Sequence, residues 1–226
     1  MALPCYNSPH RMDRYAPFLS LWMLFFAVNV LWALAQAAVA STLGARPVLV
    51  DLGIGPILFS GRLGGIVWSF RPIAVASAVG FTEATEDAPK KNRLQDLSVP
   101  MHGAVILLPW VAQVAIAMTC LGASEGLHQF VRGFALPFEL SALPGRIERL
   151  VELLRHGELL RAWGLMSAKL AAINLLPLPI LAGGQFLLLP WRNAYPVWAG
   201  LLNLLSVLAA VPWALYVAYL VVTAIF

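Results

Sequence analysis

The sequence predicts a polytopic α-helical membrane protein, with about four transmembrane helices, a small β-hairpin or sheet element after the first helix and a broken third helix. Three observations carry this expectation. Of 226 residues, 60% are hydrophobic and 12% charged, with a mean hydropathy of +0.79; an ordinary soluble domain carries about 25% charged residues. Four runs hold no Asp, Glu, Lys or Arg, namely 15–45, 97–124, 170–191 and 193–226. Each exceeds the ~20 residues with which a helix crosses ~30 Å of hydrocarbon. Between the first two runs the texture changes to short Val-, Ile- and Phe-rich stretches punctuated by Gly and Pro. A cytosolic globule, a disordered tail and a secreted disulfide scaffold are thereby excluded.

Taken in order, the first span covers about 16–40. Residues 46–81 read as strands, because β-prone runs flank Gly61-Arg62-Leu63-Gly64-Gly65. Residues 82–96 gather charge and form a solvated loop. The second span covers about 103–121, and 122–144 reads as irregular, with Pro137 and Pro144 as breakers. Over about 145–160, Ile147, Leu150, Val151 and Leu154 repeat at i, i+3, i+4, i+7 opposite a charged face, which is an amphipathic helix suited to a membrane surface. The third span, about 163–189, is interrupted by Pro177, Pro179 and Gly183-Gly184, which an unbroken helix does not tolerate. The fourth, 197–226, follows the interfacial aromatics Trp191 and Tyr195 and begins with Trp198. There is no internal repeat. The chain reads as one membrane domain, 1–226.

Lys and Arg divide evenly between the two sides of such a topology, so charge does not choose an orientation. Cys5 and Cys120 read as two unpaired thiols. The first apolar stretch is too long for the core of a cleavable signal peptide and lacks a small-x-small exit. No basic run interleaves with aromatics, so no nucleic-acid partner is expected.

Residues 174–185 read Asn-Leu-Leu-Pro-Leu-Pro-Ile-Leu-Ala-Gly-Gly-Gln. This resembles the NLLPxPxLDGG motif of the site-2 protease family of intramembrane zinc metalloproteases. Asp51–Ser60 (DLGIGPILFS) resembles the GxGPxLF strand of that family, Gly64-Gly65 to Phe81 its continuing hairpin, and Pro109 the Gly-Pro of its second helix. The resemblance spans about 16–226. It implies an HExxH pair at 32–36, counting back from Leu43-Gly44, and a third zinc ligand at the Asp of LDGG.

Those positions hold Trp32, Ala33, Leu34, Ala35 and Gln36, and Ala182. Zinc hydrolysis needs two His one turn apart, a third ligand and a Glu that polarises water. His10, His102, His128 and His156 are widely separated, and no Asp or Glu lies in any span. The chain therefore reads as a degenerate member, a pseudoprotease with no catalytic residue, no metal ligand and no cofactor. Trp32, Ala33, Gln36 and Ala182 mark the vestigial positions.

The resemblance further implies that Asn174, Pro177 and Pro179 form a broken-helix wall. With a strand containing Gly53, Gly55 and Pro56, that wall holds an unwound client transmembrane segment by strand addition. The competing reading of those six residues is preservation of the fold. Lys169 is a charge within the third span, either functional or snorkelling. Trp32 reads as filling the space the ligands left, and Asn203 as a helix-to-helix hydrogen bonder. The expected function is non-catalytic binding of transmembrane segments, as a regulator or as an accessory subunit of a hetero-oligomeric membrane complex. The alternative is an intramembrane zinc metalloprotease with unorthodox or partner-supplied ligands. Expected partners are membrane lipid and transmembrane helices of other proteins. The expected location is a bacterial inner membrane, with the vestigial site and 45–100 toward the cytoplasm.

Overall fold

The structure, a computed structural model, describes residues 10–81, 93–191 and 197–226, and the side chains of these except 10–14 and 75. Cys5, Tyr195 and most of the expected 82–96 loop lie outside the described residues. Three helices are long and apolar enough to cross a membrane: Tyr15–Thr42, Val99–Leu121 and Val197–Ile225. They belong to helices α1 (His10–Thr42), α2 (Val99–Leu121) and α7 (Val197–Ile225).

Between α1 and α2 the chain makes four strands, β1 (Pro47–Ile54), β2 (Phe59–Leu63), β3 (Ile66–Phe70) and β4 (Ile73–Phe81). Their order across the sheet is β2-β3-β1-β4. β2 and β3 form a hairpin in which Leu63 faces Ile66 across Gly64-Gly65. Both glycines have positive φ, 59° and 81°, which a two-residue turn of primed type requires. β3 runs parallel to β1, and β4 antiparallel to it.

That order makes the chain cross the end of β1 on its way from β3 to β4. The crossing is Arg71-Pro72, and Arg71 N–H donates to the Leu52 carbonyl at 2.8 Å. Gly53 lies beneath it with φ 97°, and a Cβ there would stand 2.6 Å from the Arg71 carbonyl oxygen. Any side chain at Gly53 collides with backbone.

The sheet lies along α1. Val50 and Leu52, alternate residues of β1, bury against Ala33 together with Phe26, Val30 and Trp68. Trp22 Nε1 donates to the Pro72 carbonyl at 2.8 Å, and Asn29 Nδ2 to the Ala74 carbonyl at 2.9 Å. Phe26 meets Phe70 edge to face, with ring centroids 5.0 Å apart. At the other end Ala40 packs with Ala45, Leu97 and Val105. The sheet is thus seated beside α1 from Trp22 to Ala40.

After α2 the chain departs from the expected irregular stretch. Gly122, at φ 89°, reverses it into α3 (Ala123–Gly133). Gly126 and Gly133 give this segment poor helix propensity, but each glycine is a contact: Gly126 sits on the backbone of Met118, and Gly133 on Ala172 and Lys169. Tertiary packing overrides propensity here. The amphipathic helix is α4 (Leu143–Arg155), shorter than the expected 145–160, because Gly157 takes a positive φ of 74° and ends it. Its buried face, Leu143, Ile147, Val151 and Leu154, packs with Leu21 and Leu24 of α1 and Ile225 of α7. The expected surface helix is therefore partly a core helix. Residues of the expected third span form α5 (Leu159–Asn174) and, after non-helical residues 175–181, α6 (Ala182–Leu188).

Candidate functional site

Of the positions that the resemblance would assign to zinc ligation and catalysis, Trp32 meets α2, Ala33 faces β1 and Ala182 opens α6. Ala33 is fully buried, and its small methyl side chain packs with Val50 of β1. Trp32, one helical step away, meets Trp110 of α2 at 5.8 Å between ring centroids. Gln113, also on α2 and fully buried, donates from Nε2 to the Val28 carbonyl at 2.8 Å. Gln36 follows Trp32 by one turn. Trp32 Nε1, Gln36 Oε1, Trp110 Nε1 and Gln113 Oε1 are all sequestered without a hydrogen-bond partner. A chain with histidines and a carboxylate here would be polar for a reason; this one keeps polar atoms in a seam of indoles and amides.

Those groups do not fit a zinc ion. An indole N–H carries no free lone pair, alanine offers no donor atom, and a neutral amide oxygen is not among the Cys, His and carboxylate ligands that zinc takes. Among the described residues no group of three or more His, Cys, Asp or Glu side chains converges. Ala182 opens α6, whose principal neighbour is α2: Phe186 and Leu189 lie against Gly103. Trp32 and Gln36 stand one turn apart on α1, and Ala182 opens a helix that packs on α2.

Of the residues expected to hold a client, Asn174 ends α5 and donates from Nδ2 back to the Leu170 carbonyl at 2.9 Å. Pro177 is exposed and Pro179 half-buried in the non-helical 175–181 segment. Gly183 and Gly184, both buried, back onto that segment, so that a Cβ on either would strike the carbonyls of Leu175 or Leu178. The motif is a self-packed loop: its glycines admit the very backbone that its prolines bend.

Gly53 and Gly55 line a shallow recess of about 250 Å³ with Asp51, Arg71 and Ala76, Ser77 and Ala78. Arg71 organises its rim, donating from Nη1 to the Gly55 carbonyl at 2.6 Å and from Nη2 to Asp51 Oδ1 at 3.4 Å. Pro56 follows β1 and is exposed. β1 itself is an interior strand, occupied by β3 on one side and β4 on the other. A further strand has no place on it without displacing one of them.

The sheet's two edge strands are β2 and β4; β4 packs along α1, and β2 does not. Among the described residues β3 is the one substantial neighbour of β2. Ile57 and Leu58 lead into it, Phe59 and Leu63 are 71% and 73% exposed, and Arg62 is exposed between them. A strand edge presents unpaired N–H and C=O groups with which another chain can pair. The GxGPxLF resemblance takes in Ile57, Leu58 and Phe59 but does not mark them as an edge, and the Trp110 and Gln113 seam was not singled out by motif or spacing. Gln113 does carry a signal, as a lone amide in an otherwise apolar charge-free run, and such residues pair across helices.

No protein-family model and no curated protein sequence matches the chain.

Proposed function

We propose that the chain is a non-catalytic, site-2-protease-like membrane protein that holds an extended segment of another protein's transmembrane region along the β2 edge. In this reading α5, residues 175–181 and α6 form a third, broken span, and α7 a fourth. The observation that carries the proposal is the exposed stretch Ile57–Leu63, with Ile57, Leu58, Phe59 and Leu63 open, at the edge of a sheet packed on α1.

The physical reasoning is as follows. Phe59 pairs with Phe70, and Phe70 packs on Trp22 and Phe26, well inside the apolar stretch Tyr15–Thr42. With α1 in a bilayer, the Phe59 end of β2, with its unpaired N–H and C=O groups, lies at the depth of Trp22 and Phe26. Each polar group left unsatisfied there costs several kcal/mol, and open sheet edges do not face lipid. An incoming extended strand satisfies those groups and covers Phe59 and Leu63. A transmembrane helix that unwinds at a Gly or Pro exposes a matching row of peptide groups at the same depth. The NLLPxPxL segment, the GxGP strand and the hairpin supply the resemblance, and the loss of every metal-ligating type at 32, 36 and 182 supplies the non-catalytic assignment. A bound client remains whole, which suits a regulator or a subunit of a larger complex.

A photo-crosslinking amino acid placed at Phe59 or Leu63, in cells and in native membrane, tests the binding mode. The expected adducts carry transmembrane residues of another protein. Adducts only with lipid, or only with a second copy of this chain, would refute the client assignment.

A further inference from the structure

We propose that α3 is a re-entrant helix whose polar face, Glu125, His128 and Arg132, lines a water-filled inlet into the membrane from the side on which α2 ends. The depth of α3 follows from glycine contacts. A Cβ on Gly164 of α5 would stand 2.8 Å from Cys120 Cβ, so this point of α5 is level with the C-terminal end of α2. Phe186 and Leu189, which follow α5, lie against Gly103 near the other end of α2, so α5 runs back toward the start of α2. A Cβ on Gly133, the last residue of α3, would stand 2.5 Å from Ala172 Cβ. At the 1.5 Å rise of a helix, Ala172 lies about 12 Å farther along α5 than Gly164. α3 therefore turns at Gly122, passes Met118 at Gly126 and ends about 12 Å below the end of α2. Lys169 clasps it from α5, donating from Nζ to the Gln129 carbonyl at 2.7 Å.

With α2 crossing the bilayer, that depth lies inside the hydrocarbon. The 23 residues of α2 rise roughly 34 Å against about 30 Å of hydrocarbon, so only a few ångströms of the helix stand clear.

Three faces of α3 then meet three surroundings. Gly126 and Gly133, at i and i+7, rest on α2 and α5. Leu127 and Val131, at i and i+4, are 49% and 58% exposed and suit acyl chains. Glu125, His128 and Arg132, at i, i+3 and i+7, form an exposed row on the remaining side, with His128 Nδ1 3.7 Å from Glu125 Oε2. Charged groups at membrane depth face a protein interior or a water-filled cavity rather than lipid. Among the described residues no element covers this row, so water solvates it. The inlet admits water and small hydrated solutes along α3. It rests on α2 crossing the bilayer, and it shares no residue with the β2 edge, so it is independent of the client.

The test is cysteine labelling of the full-length chain in lipid nanodiscs, where both membrane surfaces are open, in a Cys5→Ser, Cys120→Ala background. The probe is a positively charged, membrane-impermeant methanethiosulfonate. Arg132→Cys and His128→Cys are expected to react about tenfold or more faster than Val131→Cys and Val111→Cys, because a thiol among acyl chains stays protonated and unreached. Val131 neighbours Arg132 on the apolar face, and Val111, 55% exposed on α2, stands near the same depth. A cysteine is too short to snorkel, so Arg132→Cys reports water at its own depth. Arg132→Cys as slow as Val131→Cys overturns the inlet. Rapid reaction of both, with Val111→Cys protected, places α3 outside the bilayer and overturns it too. Rapid reaction of Val111→Cys as well takes α2 out of the bilayer, and the inlet falls with the membrane reading beneath it. All four residues are exposed, and His128→Cys supplies the reading where Arg132→Cys fails to fold.

Discussion

Gly126 and Gly145 both lie within helices at ordinary helical φ, yet the same substitution, Gly→Ala, is expected to move stability in opposite directions. At Gly145 of α4 a Cβ meets nothing within 4 Å. Only the backbone matters there, and alanine is favoured over glycine in a helix by up to roughly 0.5–1 kcal/mol even at a first-turn position such as this. At Gly126 of α3 the same Cβ would stand 2.6 Å from Met118 Cα and 2.7 Å from Met118 N. Carbon atoms in contact prefer about 3.5–4.0 Å, so the two helices must part by roughly 1 Å, and backbone atoms cannot rotate away. Overpacking costs about 1–3 kcal/mol, and against unyielding backbone it falls in the upper part of that range, about 2–3 kcal/mol. Less the propensity gain, a net loss of about 1–2 kcal/mol follows. At roughly 2–4 °C per kcal/mol for a chain of this size, Gly126→Ala lowers Tm by roughly 2–8 °C while Gly145→Ala raises it by roughly 1–4 °C. Thermal unfolding in one detergent, monitored by tryptophan fluorescence, measures both. A Gly126→Ala variant as stable as the parent would refute the seating of α3 on α2.

Other expectations follow from the same contacts. Gln113→Leu removes an unpaired buried oxygen and keeps the volume, so stability changes by less than ~1 kcal/mol, whereas Gln113→Ala leaves a cavity and costs about 2–3 kcal/mol; chemical denaturation of the two variants side by side separates them. In a double-mutant cycle, Trp32→Ala and Trp110→Ala show a coupling of about 0.5–1.5 kcal/mol, and strict additivity would place the rings apart. Gly53→Ala forces its methyl into the Arg71 carbonyl at a φ of 97° and costs about 2 kcal/mol or more, read as a lowered Tm with partial loss of the β signal in circular dichroism.

The three long apolar helices were legible because nothing in a soluble fold explains charge-free runs of such length. The hairpin was legible because Gly64-Gly65 meets a specific backbone demand. Strand order was not. That β3 rather than β2 lies beside β1 depends on the crossing at Arg71-Pro72, and its one sequence trace is Gly53, which reads equally well as part of a binding motif. α3 was hidden by its own glycines, which lower propensity and at the same time make the close packing that holds the helix. The end of α4 at Gly157 was missed because the apolar pattern continues into α5 without pause. That no His, Glu or Asp stands at 32–36 or at 182 needed no structure. The edge that a partner would use did need one, since pairing leaves no mark on Phe59 or Leu63 that separates an edge strand from an interior one.

The central claim is that this chain grips a transmembrane segment and leaves it uncut. The direct measurement is to reconstitute the purified chain in lipid nanodiscs with a partner identified by crosslinking at Phe59 or Leu63, supply zinc, and follow both chains by intact mass. The account predicts a stable complex in which the partner keeps its full mass, with or without a chelator. A partner shortened within its membrane segment, with cleavage abolished by chelation, would contradict it.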